Sequence, residues 1–176
     1  MRKIISLFLA FVLPFCFCGC QEVVHNDGNK EWAPGYIEDD TYINEFAGIR
    51  FAKRGGWLFE DIESGADSNG PVYDMVACST AINRVEVAFV QAQSSKQNSA
   101  KEYLENMIEI VPGWEFGDIT EKSFCGQKYF CVDGTLSVNN YRCYTRAIND
   151  YVVIVNIFAV DIDTSEIEAM FCKIKA

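Results

Sequence analysis

Apolar residues form one nearly continuous run at the start of the chain, over residues 4–18. About 15 residues make roughly 22 Å of helix, which is short for a hydrocarbon core of about 30 Å. Arg2 and Lys3 stand before the run. A positive start followed by a short apolar stretch predicts a secretory signal peptide over residues 1–19.

After the signal peptide, the pattern divides into a polar segment and one domain. Residues 20–41 are rich in polar and turn-forming residues without periodicity, which predicts a flexible tether. From residue 42 onward apolar and polar residues alternate, and this period of two predicts strands. The predicted strands are 42–46, 49–52, 72–78, 84–92, 116–124, 128–136, 141–148 and 151–160. We therefore expect a single globular domain over residues 42–176.

Helical spacing of apolar residues predicts three helices in this domain. Ser99 and Glu102 make a capping box for a helix that ends at Pro112. A short helix is expected at 57–62, and a terminal helix begins after Asp163 or Thr164. The apolar stripe of the terminal helix is Ile167, Met170, Phe171 and Ile174.

The strand at 151–158 decides the predicted architecture, because it is apolar on both faces. Both sides of the sheet must then be covered at that point. Hairpins in series with single helices between them favour antiparallel pairing. The expected fold is of the α/β (α+β) class, a three-layer α/β/α sandwich with a mainly antiparallel sheet.

Charge narrows the range of partners. The 176-residue chain has a formal net charge of −10, and loss of Arg2 and Lys3 with the signal peptide makes it two units more negative. Such a surface repels phosphate backbones, so nucleic acid is excluded as a partner. It also repels anionic lipid headgroups, so attachment to a membrane would have to come from a covalent lipid.

The residues that end the apolar run suggest where that lipid would be attached. Phe17-Cys18-Gly19-Cys20 resembles the lipobox of bacterial lipoproteins, in which a small residue precedes the cysteine that receives diacylglycerol. The resemblance implies cleavage after Gly19, palmitate on Cys20 and a protein anchored by lipid at the extracytoplasmic face of the cell membrane. The alternatives are an uncleaved anchor and an ordinary secretory signal with a chance cysteine.

A second resemblance concerns the domain itself. Phe46-Ala47-Gly48-Ile49-Arg50-Phe51 leading to Gly56-Trp57, then Tyr73-Asp74-Met75, then the long last hairpin, are similar to small Gram-positive lipoproteins with the Mog1/PsbP-like fold. The resemblance covers roughly residues 42–176, although Lys53-Arg54-Gly55 departs from the family pattern. It implies the Mog1/PsbP-like fold. The better-known members bind other proteins, but none of their binding residues can be matched here, so only the fold carries over.

The scarcity of histidine limits catalytic chemistry. His25 is the only histidine, and it lies in the predicted tether. Ser-His-Asp, Cys-His and His-based metal sites therefore cannot be built within the domain, and we expect no enzyme, no metal and no cofactor. A catalytic site that uses carboxylates or a thiol alone remains an alternative. Asp161-x-Asp163-x-Ser165 fails as a calcium loop, because Glu166 replaces its glycine, and helix capping explains Asp163.

Five cysteines remain beside Cys20, and they are expected to be mostly small buried hydrophobic residues. They are Cys78, Cys125, Cys131, Cys143 and Cys172. With a turn at Asn139-Asn140, Cys131 and Cys143 project from opposite faces of the sheet, too far apart for a disulfide.

These observations favour a non-catalytic protein-interaction or accessory module, anchored at a membrane, whose partner is an envelope or membrane protein. Arg142, Tyr144 and Arg146 lie on one face of a predicted strand and are candidate partner-binding residues, although exposed basic residues on a strand most often serve solubility. The alternative function is a small-ligand-binding lipoprotein. Its groove between sheet and helix would use Phe130, Tyr144 and Phe158.

Overall fold

The computed structural model describes residues 30–62, 70–79, 82–92, 99–160 and 162–174, with only the main chain of Lys173. The predicted signal peptide, Cys20 and the tether up to residue 29 lie outside the described residues. Neither helix in the described ranges is long and apolar enough to cross a membrane.

Most of the domain belongs to one eight-stranded antiparallel sheet. Its order is β4-β5-β6-β11-β10-β9-β7, and β8 also pairs with β9. The strands are β4 (Trp57–Phe59), β5 (Val72–Ser79), β6 (Arg84–Gln91), β7 (Glu115–Phe116), β8 (Thr120–Phe124), β9 (Gln127–Leu136), β10 (Asn139–Ile148) and β11 (Tyr151–Val160). Long strands joined by two-residue turns hold β9, β10 and β11 in continuous register.

A smaller antiparallel sheet of four strands packs on one face of the large sheet. It contains β1 (Tyr36–Glu38), β2 (Thr41–Asn44), β3 (Ile49–Ala52) and β12 (Phe171–Lys173), in the order β1-β2-β3-β12. The short helix α2 (Thr164–Glu168) lies between β11 and β12 in the chain. Ile49 and Phe51 of the small sheet are fully buried in one cluster with Val85 and Val153 of the large sheet.

The opposite face of the large sheet is covered by the helix α1 (Ser99–Ile110). Ala100 and Leu104 on its inner side pack in a second cluster with Val152 and Ile154 of β11. Residues of β11 are thus buried on both faces, which confirms the reasoning from its continuous apolar run. The α+β class and the mainly antiparallel sheet covered on both sides are confirmed. One cover is α1, and the other combines the small sheet with α2.

Two of the predicted helices were wrong. The segment predicted as a helix at 57–62 instead contains β4, which pairs with β5. The predicted terminal helix ends after the five residues of α2, and Phe171–Lys173 pair with β3 as a strand. Asp163 caps α2 as expected, since its carboxylate accepts from the Ser165 amide at 2.7 Å.

The domain also begins earlier than predicted. Tyr36–Glu38, which were assigned to the tether, form β1 and pair with β2. Trp32 stacks on Tyr151 with ring centroids 5.7 Å apart. The described part of the predicted tether, residues 30–41, therefore belongs to the folded domain.

Candidate functional site

The three predicted partner-binding residues share one face of β10, but that face is turned toward the small sheet. Tyr144 is fully buried and stacks on Phe124 with ring centroids 4.3 Å apart. Its position removes it from any partner-binding surface. The expectation that Tyr144 contributes to binding was therefore wrong, because a neighbouring layer covers this part of β10.

Arg142 is occupied by two carboxylates within the domain. Its Nε lies 2.5 Å from Asp133 Oδ1, and its Nη1 lies 2.6 Å from Glu168 Oε2. Burial disfavours the charged guanidinium, but these hydrogen bonds outweigh burial and raise the pKa of Arg142. Arg142 thus connects β9 and β10 to the end of α2, which is a structural role.

Arg146 lines a shallow groove of about 370 Å³. Its guanidinium lies 5.8 Å from the centroid of the Tyr129 ring. Lys128 and Glu121 also line the groove, so it presents both signs of charge. Of the three residues predicted to bind a partner, Arg146 is the one that lines this groove.

The aromatic residues predicted to line a ligand groove are divided between the two faces of the sheet. Phe130 and Phe158 pack in the cluster under α1, whereas Tyr144 lies in the cluster under the small sheet. The predicted groove is therefore not formed by these three residues. A different groove of about 490 Å³ lies beside α1, where Tyr103 and Asn106 face Val90 and Val152.

Cys131 and Cys143 do not form a reactive centre. Cys131 and Cys143 are fully buried, and burial raises their pKa to about 11 and about 12. They lie on opposite faces, as predicted, although the turn lies at Ser137-Val138 and the predicted register was wrong. Among the described residues, no group of three His, Cys, Asp or Glu side chains could hold a metal ion.

A partly buried polar row crosses the large sheet on the face of α1, and sequence reasoning missed it. Glu86 accepts from Arg84 Nε at 2.7 Å and from Asn156 Nδ2 at 3.0 Å. The Tyr141 hydroxyl donates to Asn156 Oδ1 at 2.8 Å. Because both carboxylate oxygens of Glu86 have donors, the row satisfies itself and aligns β6, β10 and β11.

The two ends of the large sheet differ. At one end, the Asn149-Asp150 turn joins β10 to β11, and Asn149 Nδ2 donates to the carbonyl oxygen of Lys30 at 2.8 Å. Residue 30, which follows the predicted lipid-bearing segment, therefore lies at this end. We call it the proximal end.

The opposite end, which we call the distal end, gathers two turns and the last turn of α1. Asn139 pairs with both Leu136 and Val160, and Asn83 Oδ1 accepts from the Val160 amide at 2.7 Å. A methyl group added to Gly113, just after α1, would lie 4.0 Å from Leu136 Cδ1. The β5–β6 turn, the β9–β10 turn and the end of α1 therefore meet at the distal end.

Four large apolar side chains are exposed at the distal end. Ile82 is 78% exposed, Ile110 75%, Val138 57% and Leu136 38%. We call these four residues the apolar rim. Ile82 also has a positive φ of 72°, which is an unusual conformation for a β-branched residue. Exposed apolar residues grouped at one end of a domain are typical of an interaction surface.

The apolar rim could not be recognised from hydrophobic periodicity, because its members lie in turns and at the ends of a strand and a helix. One signal in the sequence was available. Leu136 and Val138 stand on both sides of Ser137, at a turn, where polar residues are usual. A turn predicted at Asn139-Asn140 conceals this signal.

Known structures resemble this architecture. The solution structure of cyanobacterial PsbP (CyanoP) from Synechocystis sp. PCC 6803 matches with a TM-score of 0.52 at 12% identity, over 76% of this chain and 91% of that protein. The crystal structure of LpqN, described as involved in cell envelope biogenesis of Mycobacterium tuberculosis, matches with a TM-score of 0.45 at 13% identity, over 69% of this chain and 76% of that protein. No protein-family model and no curated protein matches the sequence. At such low identity the likeness to CyanoP shows the fold alone, and this chain has a PsbP-like α+β fold.

Proposed function

We propose that this chain is an extracytoplasmic accessory protein, held at a membrane by lipid on Cys20, that binds another protein through the apolar rim. The observation that carries the proposal is the placement of the rim. Four large apolar side chains are exposed at the distal end, whereas residue 30 lies at the proximal end.

This placement favours a protein over the lipid bilayer as the occupant of the rim. With Cys20 acylated, the proximal end is the end nearer to the membrane, and the apolar rim points away from it. The net charge of −10 adds repulsion from anionic headgroups. The partner that fits is a protein surface with an apolar centre and basic residues around it, which complements the acidic domain.

The size of the rim is compatible with a regulated or transient contact. Fully burying one Ile, Leu or Val side chain contributes about 1.5–3 kcal/mol. Because the four residues are partly exposed, their burial would contribute roughly 4–7 kcal/mol before the costs of association. Anchoring at the same membrane raises the effective concentration of a membrane-bound partner and offsets part of those costs.

Anchoring is tested by a single substitution in intact cells. We expect the wild-type chain to incorporate labelled palmitate and to remain with membranes, and Cys20→Ala to lose both properties. Cys18→Ala is the matched control and should be labelled like the wild type. Labelling of the Cys20→Ala chain, or an unlabelled wild-type chain, would contradict the anchoring.

Binding through the rim is tested by a photo-crosslinking amino acid at Val138 in intact cells. We expect one discrete adduct with another protein, and roughly a tenfold loss of that adduct when Ile82→Lys is added, because burying the exposed part of Ile82 contributes about 1–2 kcal/mol. Ile37→Lys, on the exposed strand β1, is the matched control and should leave the yield unchanged. An adduct with lipid or with a second copy of this chain, or an adduct insensitive to Ile82→Lys, would overturn the proposal.

A further inference from the structure

The groove lined by Arg146 lies at the proximal end of the large sheet. The paired register of β9 and β10 ends at Thr145 and Phe130, although both strands continue past these residues toward the proximal end. Residues around this point line the groove, and so does Asn149 in the β10–β11 turn. Because Asn149 Nδ2 donates to the carbonyl oxygen of Lys30, the groove lies beside the point where the chain arrives from the predicted lipid-bearing segment.

Charged side chains of both signs stand around an aromatic residue in this groove. Glu121 lies directly opposite Phe130 in the β8–β9 register, and Lys128 precedes Phe130 by two residues on the same face of the sheet. Diagonal neighbours such as Glu121 and Lys128 are about 7–8 Å apart, so a carboxylate and an ammonium lie on two sides of Phe130. The Arg146 guanidinium, 5.8 Å from the centroid of the Tyr129 ring, adds a second positive group beside β9.

This arrangement matches a ligand that carries both charges. A purely anionic ligand would be repelled by Glu121 and by the net charge of −10, and a purely cationic ligand by Arg146 and Lys128. A phosphate joined to a primary ammonium satisfies both, since basic side chains bind phosphate oxygens and a carboxylate accepts from an ammonium. The groove volume of about 370 Å³ lies within the range of small-ligand sites, about 300–1,000 Å³.

We propose that this groove binds the phosphoethanolamine headgroup of a phospholipid in the membrane to which the chain is anchored. Arg146 and Lys128 bind the phosphate, and Glu121 accepts from the ammonium. The segment between Cys20 and Lys30 extends at most roughly 35 Å, which keeps the groove within reach of the headgroups. The inference rests on the proposed anchoring. Headgroup binding would orient the anchored domain with the apolar rim directed away from the membrane.

Titration with soluble O-phosphoethanolamine tests the groove. In the purified chain in a neutral detergent, we expect saturable NMR shifts of the Thr145 and Ala147 amides, and roughly tenfold weaker binding in Arg146→Gln. Arg54→Gln is the matched control and should bind like the wild type, because the Arg54 guanidinium donates to the carbonyl oxygen of Ala169, outside the groove.

Glu121→Gln separates a zwitterion site from a simple phosphate site. The substitution removes the acceptor of the ammonium and a negative charge near the phosphate. We expect it to weaken the binding of O-phosphoethanolamine and to strengthen the binding of inorganic phosphate, a pair of effects that loss of folding cannot produce. Glu121 is exposed, so this variant also decides the question if Arg146→Gln fails to fold.

The lipid source is tested with the acylated chain in phosphatidylcholine nanodiscs. The Thr145 and Ala147 amides should shift when phosphatidylethanolamine is added, and not when phosphatidylglycerol is added. Absence of shifts with O-phosphoethanolamine or with phosphatidylethanolamine, equal shifts with both added lipids, or tighter binding of inorganic phosphate by the wild type would overturn the inference. Failure of the proposed anchoring is distinguishable, because palmitate labelling detects an unacylated Cys20 and the titration in solution does not require acylation.

Discussion

Asp74 connects the N-terminal segment of the domain to the large sheet, and its removal should be costly. It lies at the irregularity in β5 between Tyr73 and Met75. Its carboxylate accepts from the Gly35 amide at 2.8 Å, from Asn44 Nδ2 at 2.8 Å and from the Tyr42 hydroxyl. These bonds fasten the described N-terminal segment to the domain.

The magnitude follows from the burial of the donors. Tyr42 and Asn44 are almost completely buried, so Asp74→Ala leaves the Tyr42 hydroxyl without its acceptor and leaves Asn44 Nδ2 with only the Ala33 carbonyl oxygen, at 3.5 Å. Burial and the Asp74 charge raise the pKa of Tyr42, so its hydroxyl keeps the proton that it donates. Each buried unsatisfied group costs about 1–3 kcal/mol, and charge-assisted bonds lie at the upper end. We expect Asp74→Ala to lower the free energy of unfolding by roughly 3–5 kcal/mol.

Urea denaturation followed by tryptophan fluorescence measures this loss, with Asp118→Ala as an exposed control that should change stability by less than about 0.5 kcal/mol. A double-mutant cycle with Tyr42→Phe isolates the hydroxyl–carboxylate bond, and a coupling of about 1–3 kcal/mol is expected. A loss below about 1 kcal/mol for Asp74→Ala, or additive single effects in the cycle, would refute the anchoring role.

Three further predictions concern the packing and the ion pairs of the domain. Leu104→Ala, at a fully buried position of α1, should cost about 2–5 kcal/mol in the same denaturation assay. Gly134→Ala should cost about 1–3 kcal/mol, because its methyl group would lie 2.8 Å from ring carbons of Phe116. Burial alone would raise the pKa of Asp133, but hydrogen bonds from Arg142 and Lys122 lower it. The Asp133 carboxylate therefore contributes fully to the free energy of unfolding above its unfolded pKa of about 3.9, and this contribution is lost as the pH falls through its lower folded pKa. Asp133→Asn should make the free energy of unfolding less sensitive to acid over that pH range.

The sequence contained enough to predict the main sheet and the burial of both its faces, but the small sheet that covers one face was not predicted. The run Tyr151–Val160 has no polar face, and the structure buries it between α1 and the small sheet. The capping box predicted at Ser99 indicated a helix there, and α1, which covers one face, begins at that residue. These predictions depend on local periodicity, which a single segment carries by itself.

The predictions that failed involve segments whose structure is decided by a distant partner. Ile167, Met170 and Phe171 have the spacing of a helix face, and all three are buried. The free edge of β3 nevertheless pairs with Phe171–Lys173 and supplies backbone hydrogen bonds that a continued helix would not receive. Trp57–Phe59 became a strand for the same reason, at the edge of β5. The hydrophobic pattern within a segment does not indicate whether a distant strand has a free edge with which the segment can pair.

The candidate site was predictable only in part. Arg142, Tyr144 and Arg146 were correctly placed on one strand face, but the layer above that face comes from residues far away in sequence. The apolar rim depends on the turn at Ser137-Val138. A shift of the turn by two residues conceals which side chains are left outside the sheet.

With Cys20 acylated, the length of β10 would set how far from the bilayer the domain could bind a partner. Ten strand residues span about 33 Å from the proximal to the distal end. About ten residues between Cys20 and Lys30 extend at most roughly 35 Å. With Cys20 acylated, the distal end of the domain would stay within roughly 70 Å of the lipid headgroups. Each residue deleted from the segment 21–29 would shorten this greatest distance by about 3.5 Å. Enough deletions would prevent the distal end from contacting a partner whose binding surface lies at a fixed distance from the membrane.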